Sequence, residues 1–479
     1  MPIDSEHPEY IKRKIEWRDC RVSAGGWRRV KSAGTDYLPL LGPEQDGTDY
    51  ADYLKRAYFL EAFGRTKAAL VGAVMQKPPA VEMQPEDNLR LHAWLDNVSG
   101  EGVGVDMLAE TVLDSMLEVS RLGLYVTIAA EDSLAPEPYC VQYAAEAIIN
   151  WRAKGNGAPL LVVLYENVLE PAADDPYSLE GIDQWRELRL GGPGLITDHQ
   201  AGEIAPEHRL KTYPDDVFIV NVWRRQTSGD DRESFEIIET HVPEAAGRPL
   251  DYIPFVFVNA STLSVEPQRP AYTGLVEALF DHYRLMADYR HGLSITALPT
   301  PYFFGEGATK GTLTIGSRAA WTSDEADAKA GMIEYTGQGL NALRDAIADA
   351  EKTAAFLGAR LLSASTSQVE AAETHRIRQQ SEQVSIVEIA ATASEAITQV
   401  VRLAIRWMGM DTTSYRYRLN TDVTNTRLTA PEVTALLQAY QAGGMSFSTF
   451  YYNLQQGEIA RPGVDAVSEQ EEIELAGVA

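Results

Sequence analysis

The sequence predicts an α+β protein whose second half is dominated by helices. Short β-rich runs lie between Gly123 and Asp251, separated by Gly, Pro, Asn and Asp clusters, and helical patterns flank them on both sides. Between Gly358 and Gly409, fifty residues contain neither glycine nor proline. At ~1.5 Å per residue, one helix over that stretch would be about 75 Å long, which exceeds the width of a typical domain.

Composition limits the classes of function. The 479 residues are 45% hydrophobic and 23% charged, with a formal net charge of −27. This is the composition of a folded protein, and the negative charge disfavours a tight, nonspecific grip on nucleic acid, which needs many Lys and Arg contacts to phosphate. An acidic wall would instead repel a DNA polyanion and leave it mobile.

Cysteine content and hydropathy exclude further classes. Cys20 and Cys140 are too few for a disulfide framework or a zinc site with four thiolates, so a reducing compartment is expected. The first residues are polar and acidic, unlike a secretory signal. Because no run of about 18 apolar residues occurs, we expect no membrane association.

The region up to Glu118 is predicted to be helical. Its first pattern ends at Lys77-Pro78-Pro79, because a helix cannot continue through paired prolines. A further helix is predicted over Val105–Glu118, where apolar side chains recur on one face and acidic side chains on the other.

The region from Gly123 to Asp251 is predicted to form a mixed or antiparallel sheet. Its candidate strands are 124–129, 160–165, 185–190, 217–222 and 235–240. Residues 253–258 add a buried strand or extended segment, which completes the α+β domain.

Helical character then returns. A helix is predicted over Gly274–Leu298 from the recurrence of apolar residues near the helical spacing, and Pro299 and Pro301 stop it. A compact insert, Tyr302–Gly339, follows with β-like runs separated by glycines.

The next helix, Leu340–Leu362, carries a heptad seam. The seam consists of Leu343, Ile347, Ala350, Ala354, Leu357 and Leu361. We expect helices of other copies to cover it, since a heptad face packs against neighbouring helices. Ser363–Gln368 then favours a loop, because hydroxyl side chains compete for backbone hydrogen bonds. The long helix is expected over Val369–Met408.

The C-terminal segment is predicted to be short. It contains a strand-like run at 415–419 and a helix over Ala430–Gln441, which Thr429-Ala430-Pro431-Glu432 announces. The acidic tail from Pro462 is expected to be mobile.

A glycine-rich segment, Gly305–Thr312, invites comparison with a phosphate-binding loop. In such a loop the lysine follows the last glycine and precedes a Ser or Thr at the start of a helix. Here Lys310 precedes Gly311, and β-like residues follow. We interpret the segment as a glycine-rich turn and not as a nucleotide site.

Acidic residues on the helices allow catalytic or metal-binding interpretations. Glu370, Glu373 and His375 are close in sequence, but Glu373 and His375 would point about 200° apart on a helix, which favours a solvated or channel-facing acidic turn. Asp281 and Asp288 lie about 10 Å apart along one helix face, too far to share a proton, so interhelix salt bridges in an assembly are expected. The sequence lacks the standard nucleophile and metal signatures, and we expect no enzyme activity, no cofactor and no metal.

One locally basic stretch, Trp17–Arg29, interleaves tryptophans with arginines. It could contact phosphate. Packing against a neighbouring acidic subunit is an equally good interpretation, because Arg and Trp are enriched at interfaces.

The order of these elements resembles the portal proteins of tailed bacteriophages. The resemblance is most specific at Ala287–Leu293 through Leu298–Tyr302, which looks like the stem-to-clip transition of one portal subfamily. Tyr53–Tyr58 and Lys77–Pro79 also look like that subfamily. The resemblance covers nearly the whole chain.

This resemblance implies a portal-like fold, with an α/β wing, a two-helix stem, a small β-containing clip, a long wing helix and a short, crown-like C-terminal segment. The implied divisions are the wing 1–268, first stem helix 269–298, clip 299–339, second stem helix 340–362, tunnel loop 363–369, long wing helix 370–410, and wing closure with reduced crown or tail 411–479.

The resemblance also implies two contact regions. The tunnel loop would line a DNA channel with the uncharged polar side chains of Ser363, Ser365, Thr366, Ser367 and Gln368. Their contact with DNA would be weak and independent of sequence. The clip would contact terminase or the tail connector through Tyr302, Phe303, Lys310, Thr312 and Trp321.

Portal proteins form a ring of twelve subunits at one capsid vertex, through which double-stranded DNA is packaged and later ejected. The resemblance therefore implies a homo-oligomer in the virion, assembled in the host cytoplasm. Implied partners are the terminase large subunit, a head-completion or adaptor protein, and the major capsid and scaffold proteins. Two alternatives remain: an intracellular acid/base enzyme that uses Asp281, Glu370 or Glu373, and another virion scaffold or adaptor protein.

Overall fold

The structure is a computed structural model. It describes residues 2–43, 45–84, 88–128, 137–172, 175–196, 210–227, 233–296, 300–304, 327–333, 338–358, 372–410, 414–421, 430–457, 459–461 and 464–477. The chain divides into two compact units, Met1–Thr421 and Asp422–Ala479. The predicted C-terminal block 411–479 thus begins within the first unit.

The first unit contains helices before and after its strands. They are α1 (Pro8–Ala24), α2 (Gly26–Ser32), α3 (Gly47–Arg56), α4 (Ala62–Met75), α5 (Leu89–Leu95), α6 (Val105–Val119), α7 (Thr273–Thr296), α8 (Gln338–Phe356) and α9 (Ala372–Met408). The end of α4 just before the paired prolines confirms the predicted stop.

Its strands are mostly in the middle of the chain. They are β1 (Ala80–Gln84), β2 (Arg121–Thr127), β3 (Tyr139–Ala144), β4 (Ile148–Ala153), β5 (Pro159–Ala172), β6 (Asp175–Leu195), β7 (Leu210–Thr227), β8 (Glu233–His241), β9 (Glu244–Ala245), β10 (Arg248–Pro249), β11 (Phe255–Asn259), β12 (Thr300–Phe304), β13 (Lys329–Ile333) and β14 (Ser414–Arg418).

The main sheet has five strands in the order β4-β5-β6-β7-β8, and a second sheet has the order β11-β2-β3. Every pairing among the described strands is antiparallel. The antiparallel alternative of the prediction is therefore the observed one. The sequence analysis missed β3 and β4, which are short and only partly alternating.

Strand β1 shows that one prediction was wrong, because the region up to Glu118 was predicted to be helical. It pairs with β14, so that Val81 lies opposite Tyr417 and Met83 opposite Tyr415. Met83 and both tyrosines are buried. The pairing joins residues more than three hundred positions apart in the printed sequence, and no local pattern predicts a partner at that distance.

A buried arginine connects β2 to the segment that leads towards α7. The Arg121 guanidinium donates to Asn259 Oδ1 at 3.1 Å and to the Val265 carbonyl at 2.8 Å. The rings of Trp151 and Phe257 lie over it, at 5.1 and 4.6 Å from their centroids. Burial lowers the pKa of Arg121 to about 9. Because a buried charge must be paired or hydrogen-bonded, this cluster fixes the path of the chain out of the sheet.

The second unit contains α10 (Ala430–Gln441), α11 (Phe447–Gln456) and α12 (Ala466–Gly477). The bounds of α10 confirm the predicted helix. The expectation of a mobile tail from Pro462 is wrong for residues 466–477. Asp465 caps α12 by accepting bonds from the Val467 and Ser468 amides at 2.8 and 2.9 Å, and Tyr451 donates to Glu469 at 3.2 Å.

Candidate functional site: a helix pair closed by a strand hairpin

Helices α7 and α8 pack along each other in antiparallel orientation. Two close approaches at opposite ends fix their register. A Cβ atom at Gly274 would lie 3.8 Å from the Leu357 side chain, and one at Gly292 would lie 2.7 Å from Leu340. A side chain at Gly292 would require the Leu340 side chain to move, so glycine lets that side chain pack directly against α7.

The predicted packing partner of the heptad seam was wrong in part. Ile347 and Ala354, two of its members, are buried within the single chain, and α8 packs on α7. The seam is therefore at least partly covered by the same chain and not by other copies alone. A heptad pattern shows that one face is apolar, but it does not show which helix covers that face.

A histidine and a carboxylate meet between the two helices. Nε2 of His282 lies 3.4 Å from Oε1 of Glu351, and the imidazole is almost fully buried. Burial lowers the pKa of His282, and the Glu351 carboxylate opposes that shift. Burial therefore favours the neutral imidazole within the pair.

Helix α7 passes out of the core along its length. Leu279 and Tyr283 in its first half are fully buried, and the helix packs on α1, α3 and α4. Its contact with α3 is in the second half, where Asp288 accepts a hydrogen bond from Tyr53. In its last two turns Leu293 and Ile295 are exposed. Helix α7 is thus anchored in the core, and its last two turns, which lead to the hairpin, stand away from it.

Strands β12 and β13 form an antiparallel hairpin between the helices, with Tyr302 opposite Gly331. A Cβ atom at Gly331 would lie 2.7 Å from the Tyr302 hydroxyl, so the tyrosine ring occupies the space that glycine leaves. Phe304 and Met332 are 65% and 55% exposed. The strand register places these two side chains on opposite faces of the hairpin, so each face presents one exposed apolar side chain.

Only part of the predicted clip contact set can be located. Tyr302 and Phe303 are half-buried on β12. Lys310, Thr312 and Trp321 lie outside the described residues. Phe304 and Met332 were not among the predicted contact residues, although both lie in the β-like runs of the insert.

At the other end of the pair, α8 ends at Phe356, and Gly358 adopts a φ of +117°. That backbone conformation favours glycine. The predicted tunnel-loop residues Ser363, Ser365, Thr366, Ser367 and Gln368 lie outside the described residues. Their position in the fold stays a prediction.

Helix α9 is anchored in the core of the first unit. Its residues Ser394 and Thr398 are buried, and their hydroxyls accept bonds from the Leu419 and Tyr417 amides at 2.9 and 3.0 Å. The helix also packs on α6, β2 and β11. Hydrogen bonds and apolar packing thus hold this long helix within the first unit.

Within the described residues of this single chain, Asp281 and Asp288 make no interhelix salt bridge, and salt bridges to other copies stay a prediction. Asp281 pairs with Arg284 on its own helix at 2.9 Å, because residues three apart share a face. Asp288 accepts a hydrogen bond from Tyr53 of α3 at 2.5 Å. Glu370 and the side chain of Glu373 lie outside the described part of the chain.

The basic stretch Trp17–Arg29 does not form a single surface. Trp17 is fully buried, and Arg21 binds Glu118 and Glu146, each at 3.1 Å. Trp27, in contrast, is exposed. Helical spacing sends these side chains in different directions, which composition alone does not show.

Two kinds of site are absent from the described residues. Within those residues, no helix is long and apolar enough to cross a membrane. Among the same residues, no group of three His, Cys, Asp or Glu side chains is arranged to hold a metal ion.

Comparisons with known proteins give one family model and structural similarities. The model described as "Domain of unknown function (DUF4055)" matches residues 273–408, from the start of α7 to the end of α9. No curated protein matches the chain. A chain of the "Neck of empty GTA particle computed with C6 symmetry" is 12% identical with a TM-score of 0.39, covering 82% of this chain and 90% of its own length. A chain of the "Virion of native gene transfer agent (GTA) particle" has the same identity and TM-score, covering 89% of this chain and 98% of its own.

Proposed function

We propose that the protein is a portal-type structural protein, which forms a ring at one capsid vertex and conducts double-stranded DNA during packaging and ejection. One observation carries this proposal. An antiparallel helix pair emerges from an α+β unit, is closed at its outer end by a strand hairpin, and is followed by a long helix buried in that unit. This is the stem, clip and wing-helix order that the sequence resemblance implies.

The helix pair would form the channel wall. Ring closure needs the same surfaces to recur from copy to copy in a heterologous contact. A chain with a net charge of −27 would repel the DNA backbone and let it slide. The absence of catalytic signatures is consistent with a conduit whose motor is a separate protein.

The tunnel loop is proposed to narrow the channel through Ser363, Ser365, Thr366, Ser367 and Gln368. The described helices support this assignment because they bound the loop on both sides: α8 ends at Phe356 and α9 begins at Ala372. A loop held at both ends can keep a defined opening. Hydroxyl and amide groups would contact phosphate without reading sequence.

The hairpin is proposed to receive the terminase large subunit during packaging and a head-completion or adaptor protein afterwards. Tyr302 and Phe303 would contribute from β12, with Lys310, Thr312 and Trp321 from the same insert. Phe304 and Met332 are exposed on opposite faces of the hairpin, so a docked protein could bury an apolar side chain on either face. The major capsid and scaffold proteins would surround the ring in the virion.

The acid/base enzyme alternative receives less support. Asp281 is exposed and paired with Arg284, and Asp288 is engaged by Tyr53. A general acid or base must reach a substrate proton from a defined cleft. Asp281 is not arranged in that way, and the other two residues of this alternative, Glu370 and the side chain of Glu373, lie outside the described residues. A scaffold or adaptor protein differs from the proposal in lacking a ring with a central channel.

Electron microscopy of the purified full-length protein tests the proposal. We expect rings with a central channel, about twelve-fold by analogy with portal proteins. A monodisperse 52.8 kDa species across a range of salt and protein concentrations would overturn it. Solid or open assemblies without a channel would instead favour the scaffold alternative.

A further inference from the structure

A basic groove lies where α2 and the α3–α4 connection approach the second half of α7. We call it the Arg290 groove. Its volume is about 460 Å³. The side chains that matter here are Trp27, Lys31, Lys55, Tyr58, Arg65 and Arg290. Four of these six are cations, in a chain whose net charge is −27.

Contacts with backbone and rings fix two of these cations. Lys31 Nζ donates to the Lys55 carbonyl at 3.0 Å. The Arg290 guanidinium lies 4.8 Å from the centroid of the Tyr58 ring and donates to the Arg56 carbonyl at 3.4 Å. These carbonyl and ring contacts hold each cation in position, but they do not neutralise its charge.

Of the four groove cations, Lys55 pairs with a carboxylate, that of Asp52 at 3.1 Å. Within the part of the chain that the structure describes, no carboxylate lies within 4.0 Å of the Lys31, Arg65 or Arg290 charge. The acid in the groove wall, Glu61, accepts the Trp27 amide N–H at 2.9 Å. Burial and the nearby Arg290 charge lower the pKa of Lys31, which shows that like charges face each other here. Such a cluster favours an anionic ligand.

Aromatic exposure indicates a protein partner. Trp27 and Tyr58 are 46% and 43% exposed at the groove, and Trp, Tyr and Arg are the residues most enriched at the centres of protein interfaces. A DNA polyanion would be repelled by the rest of an acidic chain, whereas a protein surface need present only local carboxylates. The most abundant acidic surface in an assembly of this protein is the protein itself.

We propose that the Arg290 groove receives exposed carboxylates of a second copy of this chain and forms one half of the contact between neighbouring subunits. The proposal rests on the proposed ring. It adds the location of the contact: Arg290 stands on α7, so the groove joins the neighbouring copy to the helix pair itself. The contact is heterologous, because a basic groove meets an acidic surface and not another groove.

Charge reversal tests the groove. The variant Lys31→Glu with Arg290→Glu is compared with a matched control, Lys12→Glu with Lys154→Glu, which makes the same charge change on exposed residues outside the groove. Oligomer mass is measured by analytical ultracentrifugation across protein concentration and salt, with circular dichroism as the check on folding. We expect the control to assemble like the wild type and the groove variant to need at least tenfold more protein for half-assembly.

A second variant protects against a folding failure. Arg65 is exposed, so Arg65→Glu should fold and should weaken assembly in the same direction. Groove variants that fold and assemble like the wild type would overturn the proposal that the groove is a subunit contact. If the wild type still forms rings, the proposed function is unaffected by that result. A wild type that stays monomeric overturns the ring itself. The groove variants could also assemble normally and lose binding to a labelled DNA duplex. That result would overturn the proposal of a protein partner and indicate that the groove binds nucleic acid.

Discussion

The Tyr53 hydroxyl donates a 2.5 Å hydrogen bond to the Asp288 carboxylate and so joins α3 to α7 across 235 residues of sequence. Burial and the Asp288 carboxylate raise the pKa of the Tyr53 phenol above its ordinary value. The phenol therefore stays protonated and remains a donor throughout the neutral range. This bond ties the helix pair to the N-terminal helices near the point where α7 leaves the core.

Replacing Tyr53 by Phe removes the donor but keeps the ring beside His291. We expect a loss of about 1 to 3 kcal/mol in the free energy of unfolding, because a hydrogen bond to a charged acceptor is lost. Urea denaturation measures it. Tyr165→Phe is the matched control: it removes a 2.6 Å bond to Asp183 that is exposed, and it should cost less. Equal losses in the two variants would contradict the assignment of Tyr53–Asp288 as an anchor.

The His282–Glu351 pair predicts sensitivity to acid. An unfolded histidine protonates near pH ~6.5, and burial lowers the pKa of His282 in the folded protein. As the pH falls below ~6.5, the unfolded state takes up a proton that the folded state resists, so stability is lost until the folded pKa is reached. For one proton the slope approaches about 1.4 kcal/mol per pH unit.

Two variants isolate that slope. His282→Gln should remove it from the pH dependence of unfolding measured by urea titration. Glu351→Gln removes the carboxylate that favours the imidazolium, so the folded pKa should fall further and the loss should extend to lower pH. A wild-type slope that survives in His282→Gln would assign the acid sensitivity to other groups.

Local patterns predicted the elements that local forces determine. The apolar period of Val105–Val119 and the cap and proline before Ala430–Gln441 gave both helices nearly to the residue. Strand β1 could not be found in this way, since its ladder is supplied by β14 near the far end of the unit. Propensity yields to such long-range pairing.

The candidate site was predictable in outline and not in its contacts. The prolines after Gly274–Leu298 and the β-like runs beyond them predicted a helix, a turn into strands and a returning helix. The partner of the heptad seam was not predictable, because α7 covers it only once the hairpin has reversed the chain. The Arg290 groove was also missed: its cations come from α2, α3, α4 and α7, and only folding brings them together.

The exposed pair on the hairpin predicts a docking defect without a folding defect. Phe304→Ser with Met332→Ser removes apolar surface that is already in water, so stability should change by no more than roughly 0.5 kcal/mol. Affinity for the cognate terminase large subunit should fall about tenfold or more, as expected when central apolar contacts are lost. Biolayer interferometry measures the affinity, and electron microscopy checks the rings. Tyr177→Ser, a change at an exposed tyrosine of β6, is the control, and an equal effect there would point to a nonspecific cause.

The tunnel loop gives a prediction about DNA movement. Ser365→Glu or Thr366→Glu adds volume and a negative charge, which a ring repeats in every subunit around the channel. We expect rings to assemble normally and DNA packaging to slow, because the added charges repel the phosphates at the narrowest point. Packaging is followed as the DNA protected from nuclease over time. Ser365→Gln adds similar volume without charge and should slow packaging less, most clearly at low ionic strength, where screening is weak. Glu variants that package at the wild-type rate in intact rings would show that Ser365 and Thr366 do not face the DNA.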